Sequence, residues 1–269
     1  MYPVLWRFDS PFGEVAVPTH GCFVALGVAV AAVVFFREAR SRGQLTEQTV
    51  VAVTGALVGG AIGMRLSGLL PHLDPRLNPS LIDAWEFGAR SILGGLTGAY
   101  AGVLIAKRLI GHRVPTGDLF APAVALGMAV GRIGCFLTEA PGRPTSLPWG
   151  IHAPASVPEC AGCAAGLPMH PSFLYEIAFQ LAMFAALYWA KPRLERPGEL
   201  FTLYLAGYAV FRFGVEFTRA NEPVWLDLTR PQWFLIPGLG LLAWRLVHQY
   251  RDGVYDQLVG RTPEWEAAR

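Results

Sequence analysis

Seven stretches of mostly apolar residues follow one another along the chain, separated by short segments rich in charged residues, proline and glycine. Each stretch is close to the roughly 20 residues that an α-helix needs to cross the hydrocarbon core of a bilayer. Helices of a soluble protein would carry one polar face, and these stretches mostly do not. The pattern predicts an all-α polytopic integral membrane protein with about seven transmembrane helices. The predicted spans are His20–Phe36, Thr49–Leu70, Ile92–Ile110, Leu119–Leu137, Ser172–Ala190, Gly198–Phe217 and Trp233–Val247.

The composition agrees with a membrane protein and excludes two other classes. Hydrophobic residues make up 53% of the 269 residues and charged residues 16%, whereas a soluble chain carries about 25% charged residues. A chain with this apolar content is not intrinsically disordered. The net charge is +2, and no basic stretch is interleaved with aromatic residues, so we expect no nucleic-acid partner.

The basic residues predict the orientation of the chain in the membrane. Thirteen lysines and arginines fall in four segments that share one side if the spans alternate, against six on the other side. The positive-inside rule places the richer side in the cytoplasm, so we expect the N-terminus outside and the C-terminus cytoplasmic. This predicts a seven-span domain over residues 1–249, with an external loop at about 138–171, and a polar cytoplasmic tail over 250–269. The four basic segments are Arg37–Gln48, Lys107–Asp118, Lys191–Pro197 and the chain from Arg245 onward.

Three arginines, Arg65, Arg132 and Arg212, lie inside predicted spans. An arginine in the hydrocarbon costs about 2.5–3.5 kcal/mol on insertion scales and is normally paired or functional. In the predicted orientation each lies toward the outer end of its span, where snorkelling to the interface is one explanation. Three arginines at a similar depth favour a shared polar site.

The sixth predicted span places three polar side chains on one helix face. Tyr208, Arg212 and Glu216 are spaced i, i+4, i+8, which brings them into line along the helix. Glu216 can orient the forked guanidinium of Arg212, which can still donate to a phosphate. The alternative is an Arg–Glu pair with a purely structural role.

Further candidates flank the loop between the fourth and fifth spans. The loop begins with acidic and basic residues around a glycine, and the fifth span is entered through the sequence HPSFLYE. His170 is the external-loop group expected to titrate nearest physiological pH, although a lone histidine is more often structural. The candidates in this region are Glu139, Gly142, Arg143, His170, Tyr175 and Glu176.

The chain has four cysteines. Cys160 and Cys163 form a C-x-x-C pair in the predicted external loop, where oxidising conditions favour a local disulfide. A metal site there would need further ligands at a recognisable spacing, and a redox motif would need a βαβ pattern around it. Cys22 and Cys135 lie in spans and are expected to be small packing residues. We therefore expect no metal and no cofactor.

Three stretches resemble the hallmark sequences of the prolipoprotein diacylglyceryl transferases. They are GRIGCFLTEAPGRPTSLPWG (131–150), HPSFLYE (170–176) and GYAVFRFGVEFTR (207–219), and their order and spacing agree with that family. The resemblance implies transfer of the diacylglyceryl group of phosphatidylglycerol to the lipobox cysteine of a prelipoprotein, which forms a thioether and releases glycerol phosphate. It also implies a place in the bacterial cytoplasmic (inner) membrane, among membrane lipid, with the active site toward the outer face.

The resemblance also implies roles for individual residues. The Gly-Gly of the family's third span matches Gly94 and Gly95, which become candidates for substrate binding. A helix-packing role is also open, because glycines recur every four residues in spans two and three. The family's phosphate- and headgroup-handling residues and their partners fall on Arg132, Glu139, Gly142, Tyr208, Arg212 and Glu216.

The chain departs from the family pattern where a proton must be handled. Leu93 stands in place of the usual histidine before Gly-Gly, and Cys135 and Thr138 replace the usual asparagines. His20 replaces the usual tyrosine and is a candidate base. A thiol with a pKa of about 8.5 is partly ionised near neutral pH, so a strong base is less essential than for an alcohol. These departures leave two alternatives open: a phospholipid-dependent paralogue with a different acceptor, and a non-enzymatic lipid-binding or transport protein.

Overall fold

Seven α-helices account for most of the residues that the computed structural model describes, which are 2–11, 13–69, 91–152, 166–194 and 196–258. Short 3₁₀ turns occupy Lys191–Arg193, Glu216–Thr218 and Asp256–Leu258. The helices are Thr19–Ser41 (α1), Glu47–Leu69 (α2), Ile92–Leu109 (α3), Gly117–Thr138 (α4), Ser172–Ala190 (α5), Glu199–Val215 (α6) and Arg230–Arg251 (α7).

Six of these helices, α1 to α6, are long and apolar enough to cross a membrane. The prediction of an all-α polytopic membrane protein is therefore confirmed. Helix α7 has the required length, but its second half carries Arg245, His248, Gln249 and Arg251, and it is not among the six. The seventh span and the orientation of the chain remain predictions.

A β-hairpin precedes the first helix, a feature the apolar pattern did not predict. Strand β1 (Val4–Ser10) pairs antiparallel with β2 (Gly13–Pro18), and Trp6 lies opposite Val17. The amide of Tyr2 donates to the carbonyl of Leu137 at 2.9 Å, which ties the start of the chain to the end of α4. A second two-stranded sheet pairs β3 (Ile151–His152) with β4 (Pro168–Met169).

The chain forms two compact units, of which the smaller is Ala39–Thr116. In this unit α2 packs directly on α3 through glycines. A Cβ atom added at Gly59 would lie 2.3 Å from the carbonyl oxygen of Gly98, and one at Gly63 would lie 2.4 Å from that of Gly94. No side chain fits between the two backbones, which confirms the helix-packing role of these glycines.

The larger unit comprises Met1–Glu38 and Gly117–Arg269. Helix α1 approaches α4 closely, because a Cβ atom at Gly27 would lie only 2.6 Å from the carbonyl oxygen of Gly127. At the start of α4, the carboxylate of Asp118 accepts from the amide of Gly198 at 2.8 Å and from that of Phe201 at 3.2 Å. This carboxylate satisfies amides at the N-terminus of α6, where a negative charge is favourable. Helices α5 and α6 both pack on α4.

Candidate functional site

Three helices bring one buried carboxylate, Glu176, to two hydrogen-bond donors. Arg132, on α4, donates from Nη2 to Oε1 of Glu176, on α5, at 2.5 Å. The hydroxyl of Tyr208, on α6, donates to the same oxygen at 3.0 Å. All three side chains are buried. A charge-assisted bond of this kind fixes the guanidinium in place, and the phenol adds a neutral donor to the carboxylate.

A second carboxylate, Glu216, holds Arg212 at the end of α6. Arg212 donates from Nη1 to Oε2 of Glu216, as the i, i+4 spacing predicts. The other oxygen of Glu216 accepts from Nδ2 of Asn221 at 2.6 Å and from the hydroxyl of Thr229 at 2.9 Å. Thr229 is the N-cap residue of α7. Glu216 therefore orients Arg212 and also connects α6 to the start of α7.

A third arginine, Arg219, completes this group and was not among the residues predicted from the sequence. Its guanidinium lies 4.9 Å from the ring centroid of Phe173, and that of Arg132 lies 5.8 Å from the same centroid. Burial, together with the positive charges of Arg212 and Arg132, lowers the pKa of Arg219. A guanidinium stays protonated in proteins all the same. The overlooked signal was its spacing, since Arg219 follows Glu216 by three residues.

The three arginines and two glutamates, which we call the arginine cluster (Arg132, Glu176, Arg212, Glu216 and Arg219), carry one excess positive charge. Within the described part of the chain, two donors of this cluster, Nε of Arg132 and Nη1 of Arg219, and one acceptor, Oε2 of Glu176, are buried without a hydrogen-bond partner. Buried donors normally have partners, so each such atom needs an explanation. A phosphate bound here would accept from both donors and offset the excess charge.

Gly142 lies where three segments of the larger unit meet. Its amide donates to the carbonyl of His170 at 2.8 Å, and the amide of Arg143 donates to that of Thr218 at 2.8 Å. A Cβ atom at Gly142 would lie 2.0 Å from the carbonyl oxygen of Thr218 and 2.3 Å from Oγ of Ser172. Only glycine fits at this junction, which links the loop after α4 to the start of α5 and to the end of the 3₁₀ turn after α6.

The other loop candidates form a more exposed group beside this junction. Nδ1 of His170 lies 3.2 Å from the hydroxyl of Tyr175, which also accepts from Nε1 of Trp149 at 2.8 Å. The exposed guanidinium of Arg143 donates from Nη2 to the carbonyl of Asn221 at 3.1 Å. These residues interact with each other and with the loops, and Glu176 is the member of the HPSFLYE sequence that belongs to the arginine cluster.

Next to Arg132, the start of α1 meets the end of α4. Nδ1 of His20 lies 3.8 Å from Sγ of Cys135 and 3.6 Å from Oε1 of Glu139. Nη1 of Arg132 lies 3.8 Å from the same sulfur. Cys135, expected only as a packing residue, is indeed buried, but its thiol lies among three ionisable groups. We call His20, Cys135 and Glu139 the His–Cys–Glu trio.

Three remaining candidates, Arg65, Gly94 and Gly95, lie in the smaller unit. A Cβ atom at Gly94 would lie 1.8 Å from Oγ of Ser67, whereas one at Gly95 would meet nothing closer than 3.5 Å. Gly94 is thus required for the packing of α2 on α3, and binding roles for the three residues stay predictions. The disulfide expected between Cys160 and Cys163 lies outside the described residues.

These features define a polytopic membrane protein with a buried, arginine-rich site suited to an anionic ligand. The sequence model of the family described as prolipoprotein diacylglyceryl transferase matches residues 6–247. The chain belongs to this family, and the resemblance read from the three hallmark stretches is confirmed.

Individual relatives agree with this assignment over most of their length. Three of them, from different bacteria, are each named phosphatidylglycerol–prolipoprotein diacylglyceryl transferase. The one from Bordetella bronchiseptica is 32% identical over 256 residues, which cover 88% of this chain and 92% of the relative. The one from Geobacter sulfurreducens is 36% identical over 231 residues, covering 82% and 83%. The one from Chromohalobacter salexigens is 38% identical over 208 residues, covering 71% and 72%.

Proposed function

We propose that this chain transfers the diacylglyceryl group of phosphatidylglycerol to the thiol of the lipobox cysteine of a prelipoprotein and releases glycerol phosphate. The observation that carries the proposal is the arginine cluster, in which three guanidiniums face two carboxylates within an apolar helical protein. The net positive charge and the unpartnered donors fit the phosphate of the leaving group.

The arginine cluster would accelerate the reaction by stabilising the leaving group. When the bond between the glyceryl carbon and the phosphate oxygen breaks, negative charge grows on that oxygen. Preorganised donors in a water-poor site stabilise such a charge far better than donors in water. Glu176 and Glu216 keep Arg132 and Arg212 in fixed orientations, so little reorganisation is needed when the charge develops.

The thiol half of the reaction is assigned to the side of Arg132 where the His–Cys–Glu trio lies. The side chains of His20 and Glu139 are 44% and 42% exposed, so a peptide cysteine can reach them. The acceptor sulfur forms a bond to the glyceryl carbon as the carbon–oxygen bond breaks, and the electron pair of that bond leaves with the phosphate. The thiol proton passes to His20, whose imidazole lies beside the carboxylate of Glu139.

The remaining candidates of the larger unit are proposed to bind the substrates around this centre. His170, Tyr175 and Arg143 would contact the peptide or the lipid headgroup from the loops, and Gly142 would keep these loops in register. Arg65, Gly94 and Gly95 are proposed to contact the lipid. Glycerol phosphate release and thioether formation distinguish this function from that of a protein with another acceptor and from lipid binding without chemistry.

The excess of basic residues on one side of the spans supports an orientation with the N-terminus outside and the C-terminus in the cytoplasm. In this arrangement, residues 1–249 form the membrane domain and 250–269 a cytoplasmic tail. The site would face outward from the bacterial cytoplasmic (inner) membrane, where a translocated peptide and the lipid can both reach it.

The test uses the full chain in vesicles that contain phosphatidylglycerol, with and without a lipobox peptide. We expect release of glycerol phosphate together with a diacylglyceryl thioether on the peptide, and loss of both in Arg212→Ala. Arg7→Ala is the matched control, because Arg7 lies on the N-terminal hairpin and, among the described residues, forms its ion pair with exposed Glu14. Lipid binding without product would contradict the proposal in favour of a transport protein. Product with a small thiol but not with the peptide would favour a different acceptor.

A further inference from the structure

The His–Cys–Glu trio combines three side chains that bind metal ions well. The imidazole nitrogen, the sulfur and a carboxylate oxygen all lie within 4.8 Å of one another. Zinc binds sulfur at about 2.3 Å and imidazole nitrogen at about 2.0–2.1 Å, so ligand atoms of a tetrahedral site lie roughly 3.3–3.6 Å apart. Small rotations of these side chains would close the trio around one ion.

The helix period and one glycine bring the trio together. Cys135 and Glu139 are separated by one helical turn, since the amide of Glu139 donates to the carbonyl of Cys135 at 2.8 Å. Gly134 lets the start of α1 approach, because a Cβ atom there would lie 2.8 Å from Cβ of Phe23 and 3.3 Å from Cα of His20. The sequence therefore provides both the ligands and the space that they need.

The residue types at these positions point the same way. His20 and Cys135 both carry side chains that are strong ligands for zinc. They lie side by side in the fold although 115 residues separate them. A packing role alone does not require a thiol, an imidazole and a carboxylate at one point.

We infer that His20, Cys135 and Glu139 bind a Zn²⁺ ion whose fourth coordination position takes the acceptor thiol. Three protein ligands with an open position characterise zinc sites that react rather than only stabilise. This inference rests on the proposed function for its substrate, and it reverses the expectation that no metal is present.

The ion would take over from His20 the production of the acceptor thiolate. A thiol that coordinates Zn²⁺ is deprotonated outright, so its proton goes to water. The bound sulfur then forms the bond to the glyceryl carbon while the carbon–oxygen bond to the phosphate breaks, and no electron is gained or lost overall.

The surroundings of the trio suit such an ion. The two negative charges of a Cys135 thiolate and the Glu139 carboxylate balance the +2 charge of Zn²⁺, so the site with its ion is neutral before the acceptor binds. Arg132 can donate from Nη1 to the sulfur, now 3.8 Å away, and its own charge is offset by Glu176. Hydrogen bonds to metal ligands tune their affinity. The same guanidinium thus connects the metal to the arginine cluster.

The first part of the test measures metal binding by itself. The full chain, with Cys160 and Cys163 both replaced by serine, is purified in detergent and its zinc content is determined by mass spectrometry. We expect one zinc ion per chain, and in the cobalt-loaded protein a thiolate-to-cobalt absorption band. Both the zinc and the cobalt band should be lost in Cys135→Asn and in His20→Gln. Both should be retained in Cys22→Ser, the matched control, because Cys22 is the other free cysteine of the described segments. Absence of zinc and of the cobalt band from the unmutated trio would overturn the inference.

The second part measures glycerol phosphate release with the lipobox peptide after chelation and after zinc is restored. We expect chelation to remove most of the release rate, and zinc to restore it. A zinc-free chain with full activity would overturn the metal's role and leave His20 as the base, with the proposed transferase intact. A chain that binds zinc but never releases glycerol phosphate would instead contradict the proposed function.

Discussion

Arg132 donates from Nη2 to Oε1 of Glu176 at 2.5 Å, and both side chains are buried. The pair joins α4 to α5, and Tyr208 extends it to α6. A buried ion pair adds little net stability, but removal of one charge leaves the other uncompensated. This relationship therefore couples the stability of the three helices to the orientation of the Arg132 guanidinium.

Replacement Glu176→Gln should damage both folding and activity. The amide preserves the shape of the side chain but leaves the charge of Arg132 unpaired, which costs about 3–5 kcal/mol in buried pairs. Tyr208→Phe, which removes one hydrogen bond to the carboxylate and leaves the ion pair in place, should cost less, about 1.5–3 kcal/mol. Thermal unfolding in detergent and glycerol phosphate release measure the two effects. Equal losses in the two variants would contradict the role given to the Glu176 charge.

Arg219 is expected to be as necessary for activity as the arginines inside the spans. Its flat guanidinium lies over Phe173 and cannot be replaced well by the compact ammonium of lysine. Arg219→Lys should therefore release glycerol phosphate at a much lower rate, and its apparent affinity for phosphatidylglycerol should fall. Arg230→Lys is the control, since Arg230 is exposed at the start of α7. Normal release by Arg219→Lys would remove this residue from the site.

Gly142→Ala should disrupt the loop junction beside the arginine cluster. The new methyl group would meet the carbonyl oxygen of Thr218 at 2.0 Å, so the loop must move. We expect a lower unfolding temperature and a large loss of product formation. Gly214→Ala is the control, because a Cβ atom there meets nothing within 4 Å, and alanine favours a helix over glycine by about 1 kcal/mol. A Gly142→Ala protein as stable and active as Gly214→Ala would refute the close approach.

Gly98→Ala should weaken the packing of α2 on α3. Alanine is the better helix former by about 1 kcal/mol, but its Cβ would lie 2.3 Å from the carbonyl oxygen of Gly59. The clash should outweigh the gain and lower the unfolding temperature. Gly60→Ala, whose Cβ meets its nearest atoms at 3.4 Å, should be neutral or stabilising. If both substitutions stabilise the protein, the helices are not in contact through Gly98.

The sequence determined most of the secondary structure. Apolar runs long enough to cross a bilayer predicted the six helices that are long and apolar enough to span a membrane. The i, i+4 spacing also predicted that Glu216 pairs with Arg212, because the helical period alone decides which residues of one helix are neighbours. The N-terminal hairpin over residues 4–18 was missed, because two short strands of mixed polarity form no apolar run of that length.

Only the tertiary structure decided how the helices share their polar groups. Glu176 meets Arg132 across 44 residues and Tyr208 across 32, while His20 meets Cys135 across 115. The helical period fixes neighbours within one helix, but it does not determine which faces of two helices pack together. For that reason the sequence predicted a shared polar site but not the contact of Glu176 with Arg132 and Tyr208, and it left Arg219 out and took Cys135 for a packing residue. Packing alone placed these groups around one site.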